Sequence, residues 1–308
     1  MKYISVQPDI TYFHWQVELY LFNFLQIGIK PEDIHVVFLY NGSTPSEKGI
    51  GLQQKNPLVN FFFTQDDRPD KGYIPSIKPW GMYKLFQSKF ELTREQIFYH
   101  DADIIFREKI NEELFSNKEI QYMSDTISYI GYEYCVSKGE EQLQKMTEVV
   151  GISVETIKEN QLSSGGAQYI LSNITSTYWQ KVYEDSNKLY WLMDREDKKI
   201  EQQIKSSLPI QKWCAEMWAT LWNLWYFNLK TEVYKELDFC FATALVADWE
   251  RTKILHNAGV LDKDKEKMFF KGEYTQKIPY AADFTHIDPQ YCSVKYIENL
   301  QKFLISEN

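Results

Sequence analysis

The run Ile97-Phe98-Tyr99-His100-Asp101-Ala102-Asp103-Ile104-Ile105-Phe106 constrains this chain more than any other stretch. Largely apolar residues lead into two aspartates one residue apart, and three more apolar residues follow. An apolar run of this length, bounded by polar sequence, predicts a buried strand of a parallel sheet. Open α/β sheets place their ligands at such strand ends. Two carboxylates in a mostly buried strand are costly unless something positive neutralises them. A hard divalent cation that brings its own anionic ligand, such as a diphosphate, does so economically. The pattern therefore points to metal-assisted transfer from a nucleotide-activated substrate.

Composition narrows the partners. Net charge is −9 and no block of five Lys or Arg occurs. A nucleic-acid groove needs a basic stripe, so nucleic acid is excluded as a partner. A nucleotide is not excluded, because one metal and one or two basic residues suffice for it. Aromatic residues reach 16%, which implies either a ring-rich core or a platform for sugars or bases. The cysteines Cys135, Cys214, Cys240 and Cys292 have neither metal-ligand nor redox spacing and read as scattered thiols of a reducing compartment. Strand-like sequence follows Met1 at once, and no apolar run reaches 18 residues. The expectation is a soluble cytoplasmic protein without a transmembrane segment, compatible with peripheral membrane association.

Strand signals at Tyr3–Val6, Ile34–Tyr40 and Val59–Thr64 alternate with helical ones at Trp15–Leu25 and Pro79–Phe90. This predicts a mostly parallel sheet with helices on its faces. After residue 110 the pattern changes. Ile120–Ser124 reads as a strand, and Glu140–Asn160 as a polar helical insertion. Thr177–Lys205, Pro209–Leu229 and Gln290–Ser306 read as helices. Residues 1–110 are expected to be a nucleotide-sugar-binding half and 111–308 an acceptor-side half, within one continuous domain.

A further metal ligand should come from a distant segment. His256 follows the short apolar run Ile254-Leu255. Mixed carboxylate and imidazole ligation beside phosphate oxygens suits Mn²⁺, with Mg²⁺ the alternative. His100 is placed away from the face used by Asp101 by strand alternation. Lys78 stands at a helix start, a position that favours anions. On a helical wheel Trp218, Trp222 and Trp225 share one face, and Glu216, Thr220 and Asn223 lie opposite. The tryptophan face reads as core. For Glu216 position alone favours solvent, with the floor of a site as the alternative.

The ordered set Val6-Gln7-Pro8-Asp9, Lys78-Pro79-Trp80, Asp101-Ala102-Asp103, Ser164-Gly165-Gly166, Trp213-Cys214-Ala215-Glu216-Met217 and His256-Asn257 resembles GT-A glycosyltransferases. It is similar to retaining enzymes of two kinds. One is the bacterial family 8-like galactosyltransferases. The other is the plant peptide hydroxyproline arabinosyltransferase and peptidyl serine galactosyltransferase group. The resemblance implies a GT-A fold, α/β and Rossmann-like, with a mostly parallel sheet flanked by helices and a helical acceptor-side region. It implies that Gln7 and Asp9 border the base and ribose, and that Lys78 contacts the nucleotide. Asp101 would bind ribose and metal, and Asp103 with His256 would hold the metal on the diphosphate. Gly165 and Gly166 would let the backbone approach the donor sugar. Glu216 would lie beside that sugar near its anomeric carbon. The bacterial enzymes carry an Asp-Gln pair near the position of Ala215-Glu216, a departure that bears on the role of Glu216.

The expected activity is transfer of a hexose or pentose from a nucleoside diphosphate sugar, with UDP-hexose the first choice. The acceptor would be a hydroxyl of a glycan or peptide, and the transfer would retain configuration. A nucleotidyltransferase is a rival, but Gln7-Pro8-Asp9-Ile10-Thr11 lacks the Gly-rich, basic turn such an enzyme shows. A non-catalytic glycan-binding module is the other.

Overall fold

The structure is a computed structural model that describes residues 1–203 and 209–307. Its strands are β1 (Lys2–Pro8), β2 (Ile34–Tyr40), β3 (Asn60–Gln65), β4 (Gln96–His100), β5 (Ile104–Phe106), β6 (Ile120–Asp125), β7 (Gly165–Ser172), β8 (Lys230–Val233), β9 (Phe239–Phe241) and β10 (Ile254–His256). Its α-helices are α1 (Thr11–Gln26), α2 (Glu47–Lys55), α3 (Ile77–Ser88), α4 (Ile127–Ile130), α5 (Tyr132–Lys138), α6 (Glu140–Val150), α7 (Val154–Glu159), α8 (Ser176–Gln203), α9 (Ala215–Tyr226), α10 (Val246–Trp249) and α11 (Ser293–Ser306). The chain forms two compact units, and neither is one continuous stretch. The amino-terminal unit holds Lys2–Gln65, His100–Glu112 and Glu236–Asn308, and the central unit holds Asp66–Tyr99 and Glu113–Lys235 with Met1.

In the amino-terminal unit β1 pairs parallel with β2, and β2 parallel with β3. Both connections run through helices, α1 and α2, as parallel pairing requires. β1 and β2 are buried along nearly their whole length, and the polar Ser5 and Gln7 of β1 are buried with hydrogen-bond partners, Tyr20 and the Val37 carbonyl. β3 is only half-buried, and its Phe61 and Phe63 stack with Phe38 of β2. A second, small sheet places β10 between β5, antiparallel to it, and β9, parallel to it. Trp15 and Leu19 of α1 meet Leu255 of β10 and Tyr296 and Leu300 of α11 in the core of this unit. Each fully buried large side chain there contributes roughly 1.5–3 kcal/mol.

In the central unit β7 pairs antiparallel with β4 and β6, and β6 pairs parallel with β8. β7 is thus the antiparallel member of an otherwise parallel pattern, and helices α3, α8 and α9 pack together in this unit. The fold is mixed α/β with a mostly parallel sheet flanked by helices.

Three sequence expectations need amending. The aspartate run is not one strand: β4 ends at His100, Asp101-Ala102-Asp103 turns, and Ile104–Phe106 enters the small sheet. The Glu140–Asn160 segment is two helices, because Gly151 takes φ +86° and stops α6. Helix α9 has no solvent face: Glu216, Thr220 and Asn223 are as buried as Trp218 and Trp222. The last two residues of the expected helix Thr177–Lys205 lie outside the described residues.

Candidate active site

The turn after β4 carries Asp101 and Asp103. Antiparallel pairing sets His256 of β10 opposite Ile104, beside Asp103. The turn is fixed to the far segment by the Asn257 amide, which donates to the Asp103 carbonyl at 2.9 Å. His256 Nε2 stands 3.3 Å from Asp103 Oδ1 and 3.5 Å from Asp101 Oδ2. One ligand atom from each of the three residues lies within 4.8 Å of the others. Asp103 and His256 are buried, and Asp101 is half-buried, so the cluster is open on one side. The His256 ring is braced by Phe239 and Phe241.

Lys271 completes the cluster. Its ammonium ion-pairs with Asp103 Oδ2 and lies beside the Tyr12 hydroxyl. Burial acts to raise the Asp103 carboxyl, but the Lys271 ammonium and the hydrogen bond with His256 override it and hold it well below the usual carboxylate range. Burial acts to lower Lys271, and Asp103 outweighs it, so the lysine stays charged. Sequence reasoning missed Lys271, because nothing separates it from Lys263, Lys265 and Lys267 in the same segment. Two carboxylate donors and one imidazole suit Mn²⁺ or Mg²⁺, with remaining positions left to exogenous oxygens. The donor set therefore fits a divalent cation.

His100 points elsewhere, as alternation predicts. It is buried against Tyr20 and Phe24, with Nδ1 2.8 Å from the Asp101 carbonyl oxygen. Burial pushes its imidazole down to about 4, although that carbonyl and the nearby aspartates oppose the shift. It is neutral at pH 7 and supports the turn.

Gln7 and Asp9 are turned inward. Gln7 Nε2 donates to the Val37 carbonyl at 3.1 Å. The Asp9 carboxylate accepts from the Ser46 amide and hydroxyl, each at 2.6 Å, and His14 Nε2 stands 2.6 Å away. It thereby ties the end of β1 to α1 and to the N-cap of α2. Gly49 is required there, because a Cβ would lie 2.6 Å from Asp9 Oδ1.

The remaining expected residues lie in the central unit. Lys78, in the first turn of α3, places Nζ 2.9 Å from Glu216 Oε2. Glu216 Oε1 accepts from the Tyr99 hydroxyl at 3.1 Å and from Thr220 Oγ1 at 3.3 Å. The Glu216 amide donates to the Tyr73 hydroxyl at 3.0 Å, and that hydroxyl donates to the Trp213 carbonyl. A Cβ on Gly165 would strike Met123 and the Ser124 carbonyl, at the bulge between β6 and β7. One on Gly166 would come within 2.6 Å of Met217, with the hydroxyls of Thr126 and Tyr169 at 3.1 Å. The missing side chains thus let β6 and α9 close on β7.

No family model matches the chain, and no curated protein does so significantly. Solved structures do. WbbM, a bifunctional glycosyltransferase, aligns over 97% of this chain and 49% of its own, with a TM-score of 0.51 and 9% identity. GlyE, a glycosyltransferase of Streptococcus pneumoniae TIGR4, aligns over 99% of this chain and 63% of its own, with a TM-score of 0.41 and 10% identity. The chain has a GT-A-type fold. It spans about half the length of WbbM. Among the described residues no helix is long and apolar enough to cross a membrane.

Proposed function

We propose that the chain is a metal-dependent glycosyltransferase. It takes a sugar from a nucleoside diphosphate sugar, UDP-hexose by preference, and delivers it with retention to a hydroxyl of a glycan or peptide. The observation that carries this reading is the meeting of Asp101, Asp103 and His256 in one ligand cluster on a GT-A-type fold. Asp101, Asp103 and His256 would hold Mn²⁺ or Mg²⁺, which when bound supplies Lewis-acid stabilisation of the charge on the leaving diphosphate. Lys271 adds a fixed positive charge to the same centre and would be placed to contact a phosphate oxygen of the donor. Asn257, through its amide, keeps the Asp103 turn in register with His256. The buried Glu216 carboxylate is held by Lys78 and Tyr99. The resemblance gives that residue the donor sugar, where a negative charge stabilises the cationic anomeric carbon.

Calorimetric titration with UDP, in Mn²⁺ and in EDTA, tests the reading. Binding that needs the cation is expected, followed by release of UDP from a UDP-sugar. Equal affinity in both buffers refutes the metal role. Release of pyrophosphate from a nucleoside triphosphate would favour the nucleotidyltransferase rival.

A further inference from the structure

The aromatic surplus of the sequence is not spent on the core alone. The central unit displays a strip of two exposed indoles beside a buried tyrosine. Trp213 is 61% exposed and Trp191 is 38% exposed. Between them Tyr73 is fully buried, stacks on Tyr190 at 4.6 Å and meets Trp213 edge-on at 6.0 Å. The Trp191 indole N–H donates to Asp70 Oδ2 at 2.8 Å, and its ring lies so close to Gly72 that a Cβ there would be 2.5 Å away. Trp80 shares the edge bond but is capped: its N–H donates to Asp67 Oδ1 at 2.8 Å, its ring packs on Tyr183 at 4.6 Å, and the Lys84 ammonium lies over it at 5.1 Å. Burial acts to raise Asp67, but the hydrogen bonds from Lys84 and Trp80 outweigh it, so this carboxylate is ionised.

We infer that this strip binds a neutral saccharide, and that the acceptor of the reaction is a glycan rather than a bare peptide. An exposed ring held by a carboxylate at its edge, as Trp191 is by Asp70, matches a pyranose. Its C–H face packs on the indole, and a hydroxyl at its rim finds an acceptor in Asp70. The Asp70 carboxylate beside Trp191, on a chain of net charge −9, disfavours phosphates and acidic sugars there. A protein partner would be served by a contiguous apolar patch, which these interleaved charges break up. The strip is anchored to Glu216 through Tyr73, whose hydroxyl joins the Glu216 amide to the Trp213 carbonyl. The word acceptor rests on the glycosyl-transfer reading; saccharide binding does not.

The test uses the full chain without UDP or metal, on an array of neutral oligosaccharides, acidic oligosaccharides and peptides. Retention on neutral oligosaccharides is expected. Fluorescence titration with a retained oligosaccharide should then show about tenfold weaker binding for Trp213→Ala and for Trp191→Ala. Trp213→Phe keeps a ring and should stay within about threefold of wild type. UDP affinity in Mn²⁺ should be the same in all of them, which also shows that the variants fold. Retention of peptides alone, of no neutral saccharide, or of saccharides indifferent to both alanine variants overturns the inference. Saccharide binding that persists while UDP fails to bind would instead overturn the glycosyl-transfer reading and leave this one standing.

Discussion

Two buried carboxylate–lysine pairs, one in each unit, look alike and differ in what surrounds them. In the central unit one carboxylate, Glu216, faces one ammonium, Lys78, and its other oxygen is occupied by Tyr99 and Thr220. Charge and hydrogen bonds close. In the amino-terminal unit one ammonium, Lys271, faces two carboxylates and an imidazole. This side is open, and Asp101 keeps 29% of its side-chain surface there. A closed pair stabilises and positions. An open one has capacity for a cation and for the anion that cation brings.

The largest effect should come from emptying the open cluster. Asp103→Ala should cut turnover by about a thousandfold or more and abolish the metal dependence of UDP binding. A variant that still needs Mn²⁺ at the wild-type concentration would remove Asp103 from the metal site.

The lysines separate the two pairs directly. Removing one partner of a buried pair strands the other charge and costs about 3–5 kcal/mol. Lys78→Ala and Lys271→Ala should therefore both lower the unfolding temperature in EDTA. Mn²⁺ should restore Lys271→Ala, because the cation replaces the ammonium at Asp103, and should leave Lys78→Ala unchanged. Equal behaviour of the two variants toward Mn²⁺ would erase the distinction between the clusters.

Glu216→Gln sharpens the closed side. The amide keeps the hydrogen bond from Tyr99 but leaves the Lys78 ammonium without its carboxylate, so the unfolding temperature should fall while UDP affinity holds. If the carboxylate stabilises the anomeric centre, kcat falls by about a hundredfold. Unchanged kcat would leave Glu216 a structural residue of α9.

How far the sequence revealed these clusters follows from what periodicity and spacing can encode. Asp101, Asp103 and His256 were legible, because polar residues at the ends of apolar runs stand out. Lys271 was not: 168 residues separate it from Asp103, and only the closing of the Lys271–Tyr274 turn on that centre singles it out. The buried polar face of α9 was also hidden. A helical wheel divides faces by polarity, and Glu216, Thr220 and Asn223 are inside because α3, α8 and the Tyr73 segment supply partners for them. The split of the aspartate run between two sheets was invisible for a related reason. Apolar residues flank the turn on both sides, and only strand pairing shows that they change sheets.

A smaller effect lies in the acid limb of stability. The loop that carries Asp67, Asp70 and Tyr73 is held by the buried Asp66–Arg68 pair, with Arg68 Nε 2.9 Å from Asp66 Oδ1. Burial acts to raise Asp66, and the Arg68 fork overrides it, leaving the carboxyl below its ordinary value. A depressed folded-state pKa means that the unfolded chain binds protons first on acidification. The contribution is full above the ordinary Asp value, about 3.9, and is lost as pH falls through the folded value. Asp66→Asn should therefore flatten the acid limb of unfolding curves. An unchanged limb would show that other carboxylates set it.

The smallest effect expected is at His256, and it tests how open the amino-terminal cluster is. The imidazole is one neutral donor beside two charged ones, and a diphosphate would add further oxygens to the same ion. Its loss should therefore weaken the cation without expelling it. His256→Ala should raise the Mn²⁺ concentration for half-maximal activity by about tenfold, the equivalent of about 1.4 kcal/mol, with kcat at saturating Mn²⁺ close to wild type. Only the metal dependence should move, because the Asn257 amide continues to hold the Asp103 turn in place. A fall in saturating kcat without a change in metal dependence would make the ring a support for the turn, like His100. The open cluster would then have two protein ligands rather than three.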